Sequence, residues 1–297
     1  MSSIRVNPNP LSDLLSALAE VQQQVNTAAE QLASGRRINR PSDDPAGAAL
    51  VGEILDQSSR VDSFHQSGGT ILGQLQIADS TLSSVVTALQ RAIALGVQGA
   101  NGTLSDTNRQ AVRDELGGIQ QQLISLANTS YQGRFIFAGT ANTQPYVADS
   151  TLTSGVRYDG NNASNQVQIG EQYLSQVNLP GSQLFSSLSA DVFQAITDLT
   201  NALTANSGID TAVAKVRSTF DFVTSQRVFY GNAISQIQAQ QTSLNNEKVS
   251  LSSQENAVAG ADPAAVISSL VQDQTARQAT LQAIGRAPQY SLFDFLK

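Results

Sequence analysis

From the eleventh residue onward the apolar side chains fall at Leu11, Leu14, Leu18, Val21, Val25, Ala28 and Leu32. Alternating steps of three and four place them in one stripe along a helix. Gly35 stands where such a helix ends in a left-handed turn. In Arg40-Pro41-Ser42-Asp43-Asp44-Pro45 the Asp44 carboxylate can accept the first free amides of a second helix, and Pro45 suits its first turn. Leu50, Ile54, Val61 and Phe64 mark the buried side of that helix, and Gly68-Gly69 predicts a break or bend. Leu75, Ala78, Leu82, Val85, Leu89 and Ala92 then repeat the spacing as far as the flexible-looking Gly96, Gly99 and Gly102. Ser105-Asp106 caps a third run through Val112, Leu116, Ile119, Leu123 and Leu126.

Near residue 131 the period shortens to two. Arg134 to Gly139, Val156 to Gly160, Gln166 to Gly170 and Tyr173 to Leu179 read as short strands between Gly, Asn and Asp turns. Helical spacing returns at Leu188, Val192, Ile196, Leu199 and Leu203. After Asn206-Ser207-Gly208 a single register runs from Ile209 to Val258, with polar Gln241, Lys248 and Glu255 thinning its outer half. Asp262-Pro263 starts a last helix carrying Val266, Ile267, Leu270, Val271, Leu281 and Ile284, and the chain closes on an apolar tail with Leu292, Phe293, Phe295 and Leu296.

The expected fold class is therefore mainly α: an elongated helical bundle or coiled coil formed by the N- and C-terminal segments, with a small mid-chain β domain. The divisions expected are residues 1–40 with 263–297 as terminal assembly arms, 41–132 with 184–262 as a helical bundle domain, and 133–183 as the β domain.

Composition narrows the functions. Of 297 residues 5% are aromatic and none is Trp, which suits thin bundles; the net charge of −7 gives no broad positive field for nucleic acid. Arg36, Arg37 and Arg40 are followed at once by Asp43 and Asp44, so they read as a solvated or ion-paired turn rather than an anion site. Without Cys there is no disulfide or thiolate site, and with His65 alone neither a His-dependent triad nor an HExxH zinc site can be built. No catalytic, cofactor or metal residue is expected. No run of eighteen apolar residues suggests membrane insertion, and the first ten residues lack the charged start and apolar core of a cleavable signal peptide.

The terminal stripes are the candidate functional surface: Leu11, Leu14, Leu18, Val21, Val25 and Leu32 at one end, Leu281, Ile284, Leu292, Phe293, Phe295 and Leu296 at the other. Burying one such stripe falls short of the backbone entropy of ordering its arm. The arms are therefore expected to be mobile in the isolated chain and packed in an assembly; pairing of the two stripes inside one chain is the alternative.

The stretch Leu32-Ala-Ser-Gly35-Arg36-Arg37-Ile-Asn39-Arg-Pro41-Ser42-Asp43-Asp44-Pro45-Ala-Gly-Ala-Ala49 resembles the N-terminal signature of the bacterial flagellin family. Asn128 to Gly139, Gln144-Pro-Tyr146 and the tail Ser291-Leu-Phe-Asp-Phe-Leu296 extend the resemblance, which with the Pro-Ser-Asp-Asp-Pro form points to its hook-associated branch. The resemblance implies a structural, non-enzymatic part of the extracellular flagellum, exported without a cleavable signal. It also implies partners: further copies in a ring or helical layer, the preceding hook-associated protein, flagellin and an export chaperone. A filament-forming flagellin is the nearest alternative, and a helical adhesin or signalling module a more distant one.

Overall fold

The computed structural model describes residues 10–102 and 105–286. In chain order it holds α1 (Pro10–Ser34), α2 (Pro45–Gly99), α3 (Asp106–Ala127), β1 (Ser130–Tyr131), β2 (Arg134–Phe135), β3 (Tyr146–Ala148), β4 (Val156–Tyr158), β5 (Gln166–Gly170), β6 (Tyr173–Gln176), α4 (Gly181–Leu184), α5 (Val192–Ala205), α6 (Ile209–Ala259) and α7 (Pro263–Arg286). Among these residues the chain is mainly α, and its strands pair only as three separate antiparallel hairpins, β1-β2, β3-β4 and β5-β6. The chain divides into two compact units, residues 61–246 and residues 1–60 with 247–297, and both α2 and α6 run through the division.

The unit of residues 61–246 has one continuous core. Leu75, Leu82 and Leu89 of α2, Leu116 and Leu123 of α3, Ile196 and Leu199 of α5, and Val216, Tyr230 and Ile237 of α6 are all buried in it. α2 is the one described helix long and apolar enough to cross a membrane, yet Leu75, Ala78, Leu82, Val85, Leu89, Ala92 and Leu95 along it are buried in this core. The cap read from the sequence at Ser105 is in place, accepting from Asn108 N at the start of α3, and Asp191, not read as a cap, accepts from Gln194 N at 2.8 Å at the start of α5. Asn206 ends α5 in a left-handed conformation (φ 50), and its side chain accepts a bond from Arg109 at 2.7 Å.

Several elements depart from the sequence reading. α2 runs unbroken through Gly68 and Gly69. A helical glycine costs only about 1 kcal/mol relative to alanine, less than the packing on either side of it. Gly96 and Gly99 are not flex points either, because both lie inside α2 where other helices come close. A Cβ on Gly96 would stand 2.5 Å from Val213 Cγ2 and 3.1 Å from Leu199, and one on Gly99 would overlap Leu203. A Cβ on Gly69 would meet nothing nearer than Gln241 Nε2 at 3.6 Å. Gly69→Ala should therefore stabilise the chain by about 0.5–1 kcal/mol, whereas Gly96→Ala should destabilise it by about 1–3 kcal/mol. Urea unfolding of both variants checks the pair; equal effects would mean that Gly96 is not a close-packing glycine.

The expected strand 134–139 is two residues long. After the Gln132-Gly133 turn, where φ is positive at both positions, the chain leaves the hairpin and Ile136, Phe137 and Ala138 enter the core. β4 stops at Tyr158 and β6 at Gln176, short of the expected Gly160 and Leu179: Gly160 lies in a bend after β4, and Leu179 lies in irregular chain after β6, its amide donating to the Tyr230 hydroxyl at 3.4 Å. The helix expected from Leu188 starts at Val192, and Leu188 stands fully exposed in the preceding loop.

Candidate assembly interface

α1 and α7 pack on each other inside the chain, the alternative arrangement rather than the mobile arms expected from the sequence. Ala261 N donates to Gly35 O at 3.0 Å where α1 ends and α7 begins, and Arg277 Nη1 donates to Gln22 Oε1 at 3.2 Å near the middle of both. The pair is therefore antiparallel. Val25 and Ala28 are buried in its seam, Leu14, Leu18 and Val21 are half-buried, and Leu11 and Leu32 remain 44% and 42% exposed. From α7, Val266 is buried and Leu270 and Ile284 are half-buried.

Not all of the apolar surface is used. A groove of about 400 Å³ along one side of the pair is lined by Glu20, Gln23, Gln24, Thr27, Ser269 and Asp273, among others. By the helical period, Leu11 and Leu15 stand on the opposite side of α1 from Glu20 and Thr27, and Ile267, Val271 and Leu281 stand away from Ser269 and Asp273 on α7. Those five side chains are all more than 40% exposed. The pair thus has one polar flank and one bare apolar flank. Leu292, Phe293, Phe295 and Leu296 lie outside the described residues.

The signature residues form a clasp where α1 turns into α2 and α6 turns into α7. Gly35 has φ +68, the left-handed turn its position predicted. Arg36 bridges Gly260 antiparallel, and Arg37 N donates to Ala259 O at 2.6 Å. Arg36 also pairs with Glu255 at 2.7 Å, Arg37 reaches Val258 O and Asp44, and Arg40 pairs with Glu30. The three arginines are thus ion-paired, but only Arg37 pairs with an Asp of the turn itself. Asp43 Oδ2 accepts from the backbone of Asn39 and Arg40, and Asn39 donates to Arg36 O. Asp44 Oδ1 caps α2 by accepting from Gly47 N at 2.9 Å. The Gly47 amide first, and the Arg37 guanidinium second, hold the Asp44 carboxyl below the usual Asp range. Ile38, Val51 and Ala259 close a small apolar cluster beneath, and a Cβ on Gly47 would come within 2.5 Å of Ile38. Pro41, Ser42 and Pro45 are exposed on the outside of the turn.

The sequence model of the bacterial flagellin N-terminal helical region matches residues 8–142. Flagellar hook-associated protein 3 of Escherichia coli K12 is 27% identical over 296 residues, covering 90% of this chain and 92% of that protein. Residues 8–142 of this chain thus resemble the N-terminal helical region of bacterial flagellins. Flagellin of Listeria innocua is 26% identical over 304 residues, 96% of each chain. The fold matches that of a solved flagellar hook-associated protein from Vibrio parahaemolyticus, with a TM-score of 0.67 and 19% identity over 73% of this chain and 99% of that one.

In the sequence the clasp was legible as a turn with a cap, but its partner was not. Contacts from Arg36 and Arg37 reach 219 and 221 residues along the chain, and nothing in local spacing reports them. The polar part of the α1-α7 seam was also missed. Asp273, Arg277 and Thr280 continue the three-four spacing from Val266 and Leu270 to Ile284 and are half-buried, and Arg277 Nε is buried without a hydrogen-bond partner. A search by apolar residues skips such positions. His65 is exposed, and among the described residues no group of His, Asp and Glu could hold a metal ion.

Proposed function

We propose that this chain is a non-enzymatic structural subunit that joins the hook, through the preceding hook-associated protein, to the flagellin filament. The bare apolar flank of the α1-α7 pair carries the reading: five aliphatic side chains left in water favour burial against further helices. On this reading residues 1–40 and 263–297 are the assembly arms, 41–132 with 184–262 the helical bundle and 133–183 the β domain. Leu11, Leu32 and Leu281, with Leu292, Phe293, Phe295 and Leu296 of the tail, form the contact surface that neighbouring arms close on, and Leu14, Leu18, Val21, Val25 and Ile284 hold together the pair that presents it. Identical contacts repeated around an axis give a ring or helical layer. Export without a cleavable signal, with a chaperone covering the arms beforehand, belongs to the same proposal.

The near-full-length similarity to a flagellin supports a second reading, in which the chain forms the filament itself. Two observations separate them: electron microscopy of cells carrying a tagged chain, and polymerisation of the purified chain. A junction subunit should label one short band at the hook end of each filament and should not grow long polymers alone. Label along the whole filament would replace the junction reading with the flagellin one.

A further inference from the structure

Residues 61–246 hold a second feature that assembly of the arms does not use. Between α2, the β1-β2 hairpin and β5 lies a cavity of about 310 Å³, a size suited to a monosaccharide or a single amino-acid side chain. Its floor is apolar, with Ile71, Ile136, Val167 and Val177. Its polar lining includes the Arg134 guanidinium, the side-chain amides of Gln74, Gln132, Asn165 and Gln166, and the Tyr131 hydroxyl, each able to donate a hydrogen bond.

Three observations make this more than a polar hollow. Arg134 has no ion-pair or hydrogen-bond partner among the described residues, unlike Arg36, Arg37, Arg40, Arg91, Arg157 and Arg227, each of which meets a carboxylate. No acidic side chain lines the cavity, in a chain where Asp and Glu outnumber Lys and Arg 24 to 17. Finally, the Tyr131 ring is seated over Gly73, where a Cβ would stand 2.6 Å from the hydroxyl oxygen, so the helix is cut back to admit that group.

We propose that this cavity binds a carboxylate. Arg134 offers the planar two-donor fork that matches a carboxylate's two oxygens, the amides and hydroxyl supply further donors, and the apolar floor takes the carbon skeleton. The same chemistry can arrive as a free sugar acid or as a Glu or Asp side chain of another protein, and the test distinguishes the two.

The full chain is titrated by calorimetry and by amide chemical shifts with three probes: D-galacturonate, its neutral counterpart D-galactose, and a short Glu-rich peptide. Binding of galacturonate with no binding of galactose assigns a sugar-acid site. Binding of the peptide alone assigns an acidic side chain. In either case Arg134→Gln should weaken binding by about tenfold or more, while Arg217→Gln, an exposed arginine on α6 outside the cavity, should leave it unchanged. Arg134 is exposed, so its substitution should not disturb folding, and unchanged circular dichroism checks this. The proposal is overturned if neither carboxylate binds, if galactose binds as well as galacturonate, or if Arg134→Gln has no effect.

Discussion

Replacing Leu15 and Val271 together by aspartate should give a chain that folds, yet no longer enters a flagellum. Leu15 is 52% exposed on α1 and Val271 is 59% exposed on α7, both on the bare flank and off the seam that joins the helices. In the isolated chain the change removes little burial, so its unfolding midpoint should stay close to the parent's. In an assembly each position would otherwise bury an aliphatic side chain worth about 1.5–3 kcal/mol, and the substitution adds the desolvation of a carboxylate with no partner. Repeated at every subunit of a layer, that penalty should abolish incorporation. The measurements are thermal unfolding of the purified chain, and swimming and filament counts in cells that carry only the variant. Normal motility would remove the flank from the interface. Lys248→Glu, an exposed polar position on α6, is the control that charge alone has little effect.

The division between seam and flank shows what the sequence could and could not supply. The stripe on α1 was legible because Leu, Val and Ala recur there at helical spacing. On α7 the apolar residues sort into two sides, with Val266, Leu270 and Ile284 facing α1 and Ile267, Val271 and Leu281 facing outward. Half the seam positions between them are polar. A period search weights all six alike, so it found the helix without finding its buried side. The glycines failed for a related reason. Gly68-Gly69 and Gly96 to Gly99 carry the same local signal, and only the neighbours brought up by α5 and α6 make one pair tolerable and the other necessary. Caps, by contrast, are local: Asp44 and Ser105 each bond an amide three residues on.

Tyr146→Ala should be the most destabilising single change in residues 61–246, costing about 3–5 kcal/mol. Three separate segments converge on this residue. Asn128 at the end of α3 offers its side-chain amide to the Tyr146 backbone as a strand would, donating to the carbonyl at 2.7 Å and accepting from the amide at 2.8 Å. The ring is 1% exposed and packs against Phe193, Tyr158 and Phe185 with centroids 5.0, 5.1 and 5.8 Å away. Gly181, at the start of α4, leaves the space: a Cβ there would meet the ring at 2.8 Å. The hydroxyl is bonded to Ser186 Oγ at 3.0 Å, and burial pushes its pKa upward, so it remains protonated across the accessible range. Tyr146→Phe keeps the ring and loses only that bond, for about 1 kcal/mol. Urea unfolding of the two variants separates ring packing from the hydroxyl. A loss below 1 kcal/mol in Tyr146→Ala would mean that the aromatic cluster does not hold the hairpins to the helices, and that the β region is anchored through Asn128 and the backbone alone.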